Sequence, residues 1–183
     1  MKSLKLTWLV CLALFASALQ SGCTGAPDGV EPVTGFELNR YLGTWYEIAR
    51  LDHSFERGLT HVTAEYSLRS DGGVRVVNRG FSNDTAEWNE AIGKAYFTGD
   101  VDVGQLKVSF FGPFYGGYNI VELDKDAYQY SLVVGPDRDY LWLLSRTPHL
   151  DPVTVNRLVD KAADLGFATN DLIYVDHSPL QSR

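Results

Sequence analysis

Between residues 44 and 146 apolar and polar side chains alternate in short segments, each closed by a turn signal, and helical periodicity is hard to find. Val62, Ala64, Tyr66 and Leu68 alternate with Thr63, Glu65, Ser67 and Arg69, and Leu106, Val108 and Phe110 alternate with Lys107 and Ser109. A period of two places each set on one face of a strand. Strands are predicted at 44–51, 62–69, 74–81, 90–98, 105–111, 117–123, 129–134 and 140–146. The breaks between them are Asp71-Gly72-Gly73, the polar stretch 82–89, Gly99 to Gly104, Gly112 to Gly117, Asp124 to Ala127 and Gly135 to Asp139. Each is short enough to join antiparallel neighbours. Eight such strands can stack as a sandwich or close as a barrel, and only closure removes both sheet edges without extra coverage. The expected fold is therefore all-β, an eight-stranded antiparallel up-and-down β-barrel with its apolar set inside and its polar set in water. A barrel that crossed a membrane with its strands would show the reverse pattern.

One helix follows the strands. Asp151 is placed as N-cap, Pro152 opens the first turn, Val155, Leu158, Val159, Ala162 and Leu165 form an apolar stripe, and Gly166 is the stop. The stripe should pack on the outer wall of the barrel. Leu172 to Val175 reads as a short final strand beside the first, and residues 177–183 as a polar tail.

The N-terminus has a different character. Lys2 and Lys5 precede an apolar run from Leu6 to Leu19, followed by Gln20-Ser21-Gly22-Cys23, the layout of a secretory signal over 1–22. The run is shorter than the roughly 20 residues a membrane-spanning helix takes. Ser21 and Gly22 before Cys23 resemble the lipobox of bacterial lipoproteins, although Gln20 stands where that class prefers leucine. The resemblance implies that Cys23 is acylated and becomes the first mature residue, and Thr24, not aspartate, implies sorting to the outer membrane. Cysteine arithmetic agrees: once Cys11 leaves with the leader, Cys23 has no disulfide partner. Ordinary secretion with Cys23 as a spare thiol is the plain alternative. Residues 24–35, with Gly25, Pro27, Gly29, Pro32 and Gly35, read as a flexible tether, so the folded domain is expected over 36–176. The whole chain carries a net charge of −7, and loss of Lys2 and Lys5 with the leader takes it to −9. With no basic stripe, such a chain is repelled by nucleic acid and by anionic lipid surfaces, which leaves an acyl group as the means of attachment.

Gly43-Thr44-Trp45 at the first strand, Asp139-Tyr140 before the last barrel strand and Arg146 at its end resemble, in order, the three signatures of the lipocalins. The flanking runs Phe55-Glu56-Arg57-Gly58, Gly93-Lys94-Ala95-Tyr96-Phe97, 110–119 and 135–140 are similar to bacterial outer-membrane lipocalins, and the match covers roughly 36–176. The resemblance implies a cup open at one end, with Trp45 plugging the other and Arg146 packed across its ring. These residues speak for fold rather than ligand.

By lipocalin register Tyr66, Asn78, Phe97, Val108, Phe110, Asn119, Val121 and Trp142 should face the cavity. The bland alternative is that they merely fill the barrel. The loops at 51–61, 82–89, 112–117 and 135–139 should form the mouth, with Tyr115, His53, Arg57 and Arg138 as candidates for a headgroup, each of them otherwise a solvated loop residue. An apolar tunnel with a polar mouth suits a fatty acid or lysophospholipid held for storage or transport in the cell envelope. No cofactor or metal site is expected: G-x-S-x-G and H-E-x-x-H are absent, the mature barrel has no cysteine for the enzymatic route some lipocalins take, and the histidines at 53, 61, 149 and 177 lack metal spacing. A pigment or haem carrier, for which His61 would be the cue, and a structural envelope protein stand as alternatives. The aromatic, glycine-flanked loop 112–117 is a candidate lid or homodimer contact.

Overall fold

The computed structural model describes residues 24–180. The expected leader, its Cys23 and the last three residues lie outside the described residues. A short helix, α1 (Leu38–Tyr41), leads into eight strands, β1 (Gly43–Arg50), β2 (Leu59–Leu68), β3 (Val74–Ser82), β4 (Glu87–Phe97), β5 (Gln105–Ser109), β6 (Gly116–Leu123), β7 (Tyr130–Val134) and β8 (Leu141–Ser145). Helix α2 (Pro152–Asp164), a single 3₁₀ turn at Thr169–Asp171 and strand β9 (Ile173–Tyr174) complete the chain.

From β1 to β8 each strand pairs antiparallel with the next, and β1 closes the barrel by pairing with both β2 and β8. The two halves of β1 serve different partners: Gly43 to Tyr46 lie against Tyr66 to Thr63 of β2, whereas Ala49 and Arg50 lie against Tyr174 and Ile173 of β9. β9 thus covers the edge of β1 that β2 leaves, where open backbone groups would otherwise invite another chain. β2 starts before the expected residue 62 and bends at His61, whose φ is +52°, where its pairing with β3 slips.

Two apolar clusters share the wall. The inner one includes Trp45, Tyr66, Val74, Val76, Leu106, Ile120, Val133 and Leu144. The outer one joins Ile48, Ala49, Val121, Leu132, Leu141 and Leu143 to Leu158 and Ala162 of α2 and to Phe167. Helix α2 has the expected cap, with Asp151 Oδ1 accepting from the Thr154 amide at 2.9 Å. Because the helix covers β6, β7, β8 and β1, those strands are apolar on both faces.

Residues 24–35 do not stand free as a tether. Val30 is buried, the Val33 amide donates to the Ile120 carbonyl at 2.8 Å, the Phe36 amide donates to Asp102 O at 2.7 Å, and Thr34 bridges Val103. Gly117 of β6 is what lets this segment lie so close to the wall: a Cβ there would stand 2.7 Å from the Gly25 carbonyl.

Candidate ligand-binding cavity

One end of the barrel is sealed. Trp45 is completely buried and its indole Nε1 donates to Tyr41 O at 2.8 Å. The Arg146 guanidinium stacks 3.9 Å from the centre of the indole and donates to the carbonyls of Thr44 (2.9 Å), Arg40 (2.7 Å) and Tyr128 (3.2 Å). Gly43, at φ +94°, gives this corner a backbone conformation that L side chains rarely adopt, and a Cβ there would stand 3.5 Å from Arg146 Nη1. Above the plug the hydroxyl of Tyr118 meets those of Tyr41 at 2.8 Å and Tyr66 at 2.9 Å, and Tyr41 continues to Ser131 at 3.2 Å. Burial pushes the Tyr41 phenol up to about 12 and those of Tyr66 and Tyr118 upward as well, so the cavity floor is a neutral hydroxyl network.

From this floor a cavity of about 610 Å³ rises to an opening among the 51–58, 110–117 and 135–140 segments. Of the residues expected inside, Tyr66, Asn78, Val108, Phe110 and Trp142 line it. Phe97 points inward but lies at the closed end, edge-on to Phe36 with centroids 6.1 Å apart, and belongs to the seal. Asn119 and Val121 are placed on the wrong face. The inward residues of β6 are Tyr118, Ile120 and Leu123, while Val121 packs under α2. Asn119 uses its amide to hold Gly25 O at 3.1 Å and Gly135 O at 3.2 Å. A bulge between Ile120 and Glu122 breaks the alternation, and a strand apolar on both faces offers no polar side from which to read its register.

The mouth also differs from expectation. Tyr115 borders the cavity, with Lys107 Nζ 5.1 Å from its ring centre. Arg57 is held by Asp52 at 2.6 Å and is not part of the lining. Arg138 is a clamp, donating to Leu165 O at the end of α2 (2.9 Å) and to Asp28 O (2.8 Å). His53 is buried, stacked under Phe55 at 4.1 Å. Each is a polar group in a loop near the opening, and loop position does not reveal which carbonyl or carboxylate lies within reach. Tyr140, of the second signature, is itself part of the mouth wall, 6.1 Å from Trp142, while Asp139 is exposed in the turn before it. His61 faces the C-terminal segment, with its Nε2 at Ser178 O, so it supplies no haem ligand to the cavity.

Sequence reasoning missed two features. The first is the extent of an apolar rim: beyond the aromatic loop 112–117 and its Phe114, 79% exposed, Phe111 and Phe55, 80% and 59% exposed, also border the opening. The second is a buried charged cluster. Glu47 and Glu56 line the cavity, Arg50 Nη1 donates to Glu47 at 2.6 Å, and Arg50 Nη2 donates to Glu56 O at 2.8 Å and Leu59 O at 3.2 Å, fastening the 51–58 loop to the wall. The Trp142 indole Nε1 donates to Glu56 Oε2 at 3.0 Å. Burial raises both carboxyls, and the repulsion of Glu56 lifts Glu47 further. Parity from Trp45 would have put Glu47 inside. The bulge between Glu47 and Ala49, which turns Ile48 and Ala49 outward and returns Arg50 to the interior, is invisible in the sequence.

An eight-stranded cup, sealed by tryptophan and arginine, open at the other end and flanked by one helix, defines a ligand-binding barrel. A lipocalin-like domain model matches residues 36–177, and the chain belongs to the lipocalin family. It is 56% identical over 162 residues to the outer membrane lipoprotein Blc of Vibrio cholerae, covering 88% of this chain and 95% of that one. It is 55% identical over 149 residues to the Blc of Escherichia coli K12, covering 81% and 84% respectively. Among solved structures, insecticyanin from the tobacco hornworm superposes with a TM-score of 0.65 at 24% identity, covering 84% of this chain and 87% of that one, a likeness of fold.

Proposed function

We propose that this protein is an outer-membrane lipoprotein, acylated at Cys23, that holds the acyl chain of a fatty acid or lysophospholipid in its barrel for storage or transport within the envelope, as a binding protein and not an enzyme. The observation that carries this reading is the cavity: about 610 Å³, walled by Tyr66, Val74, Val76, Val108, Phe110 and Leu144, and open at the end opposite Trp45. Each methylene it buries is worth about 0.8 kcal/mol, and the volume lies within the roughly 300–1,000 Å³ of small-molecule sites. The open end leaves a headgroup in water. The names of the 54–56% identical relatives support the outer-membrane and lipoprotein parts of the reading.

Native mass spectrometry with organic extraction of the soluble region from Thr24 onward, purified from bacteria and titrated with lysophospholipid and fatty acid, tests the proposal. Stoichiometric, displaceable lipid is expected. A barrel that is empty and takes up neither ligand would sink it. Incorporation of labelled palmitate, lost in Cys23→Ala, is the matching test of the anchor.

A further inference from the structure

Two carboxyls in the cavity wall are unused by an acyl chain. Glu47 reaches the cavity from β1 and Glu56 from the 51–58 loop, and only 3% and 6% of their surfaces are exposed. One cation serves both: Arg50, which gives Nη1 to Glu47 and spends Nη2 on main-chain carbonyls. The other arginines nearby are engaged elsewhere, Arg57 with Asp52 at 2.6 Å and Arg79 with Glu90 at 3.6 Å. With both carboxyls ionised the cluster would carry a net negative charge in a buried setting, an expensive arrangement unless a proton or another cation completes it.

Neighbouring groups leave room for that cation. His53 is only 5% exposed, neither ring nitrogen has a hydrogen-bond partner among the described residues, and Nε2 stands 3.1 Å from Glu56 Oε2 off the N–H direction. Burial and Arg50 hold this imidazole down to about 4, so it stays neutral and does not balance the carboxylates. Asn78 Oδ1, on the cavity wall, is also buried without a partner. Other groups around the pair are the Trp142 indole N–H, already given to Glu56, and the Tyr66 phenol, hydrogen-bonded to the Tyr118 hydroxyl. Arg50 Nε is an unmet donor within the cluster, but in the cavity wall itself Asn78 Oδ1 is an unmet acceptor, Ser109 Oγ an unmet hydroxyl, and two carboxyls share one arginine, so a ligand that completes the wall brings donors and positive charge.

We propose that Glu47 and Glu56 form a recognition site for the ammonium group of a single-chain amphiphile whose hydrocarbon fills the cavity. The inference rests on the carrier reading and adds to it the polar group that the wall selects. When the site is empty the pair holds one proton, which with Arg50 leaves the cluster neutral. A bound ammonium takes over that charge, and the proton leaves to solvent, so charge balances in both states. A fatty-acid carboxylate brings neither donors nor positive charge and gains nothing here.

Residues 24–180 contain the closed barrel and both apolar clusters, so the soluble protein from Thr24 onward is a complete folding unit. Dodecylamine, dodecanol and dodecanoate, all below micelle-forming concentration, are titrated into it by calorimetry at about pH 7.5 in two buffers of different ionisation enthalpy, where the amine is cationic and the acid anionic. The amine should bind about tenfold tighter than the alcohol and release close to one proton, and the alcohol should release none. In Glu56→Gln the amine-to-alcohol affinity ratio should fall to about one and the proton release should vanish. Dodecanol binding with an amine that binds no tighter, or that releases no proton, overturns the inference and leaves the carrier reading standing. Binding of none of the three defeats the carrier reading itself. Should Glu56→Gln fail to fold, as judged by circular dichroism, the proton count of the unmodified protein still decides the matter.

Discussion

The closed end and the mouth of this barrel treat their polar groups in opposite ways. At the closed end the Trp45 indole and the guanidinium nitrogens of Arg146 find backbone carbonyls between 2.7 and 3.2 Å, and the tyrosine hydroxyls bond one another. At the mouth His53 and Asn78 keep buried polar atoms without partners, two carboxyls share one arginine, and three phenylalanines stand in solvent. Satisfied groups make a rigid, specific structure, whereas unmet ones are retained at a cost in stability and mark where a ligand completes the set. One barrel thus separates a stabilising end from a recognising end.

The largest test of that contrast is Trp45→Ala, which should destabilise the protein by about 3–5 kcal/mol in urea unfolding, because a wholly buried indole leaves a cavity at the seal. A loss under about 1 kcal/mol would mean the closed end is not where stability resides. Arg50→Leu should cost about 3 kcal/mol by leaving buried Glu47 without its partner, and should free the 51–58 loop to faster amide exchange. Arg146→Ala should cost about 2 kcal/mol, from the stacked guanidinium and its hydrogen bonds, with little change in ligand affinity. Equal effects of Arg146→Ala on stability and on binding would erase the division between the two ends.

The pH dependence sharpens the comparison at the mouth. His53 is depressed to about 4 from an ordinary 6.5, so its contribution is present above 6.5 and is lost as pH falls toward 4. The Glu47–Glu56 pair is raised, so its contribution is present below the ordinary carboxylate range and is lost as pH rises through the shifted values. Replacing His53 by Phe should therefore flatten the acid limb of melting temperature against pH between about 4 and 6.5 and leave the alkaline limb in place. An unchanged acid limb would show that His53 is not held neutral. The smallest effect is expected from Phe111→Ser with Phe114→Ser: stability should move by less than about 0.5 kcal/mol, since both rings are mostly exposed, while lysophospholipid affinity should weaken. A large loss of stability there would recast the rim as core.

Much of this was open to inspection in the chain itself. From Val62 to Tyr66 β2 alternates because one face meets water, so the inward position of Tyr66 follows from Val62 and Ala64, while Leu68 at the strand's end leaves the inward set and is exposed. Asp151, Pro152 and Gly166 bracket α2 through local chemistry of caps and stops. Gly43-Thr44-Trp45 and Arg146 carry the closed end, whose partners are mainly backbone carbonyls that any such barrel supplies at those places.

What tertiary structure alone decided lies where alternation fails or where distant segments meet. Val121 and Ile120 are both apolar, and only the bulge in β6 and the position of α2 assign one to the helix and the other to the interior. Arg138, a cation in a mouth loop by sequence, is tied to the end of a helix 27 residues away, and the segment 24–35 lies on a wall that its glycines and prolines do not announce. The Glu47–Arg50–Glu56 cluster joins a strand bulge to a loop and to Trp142 of β8. Local sequence fixes periodicity, caps and turns because those depend on neighbours along the chain. The side a bulged strand presents, and the partner a buried charge finds, depend on neighbours across the fold.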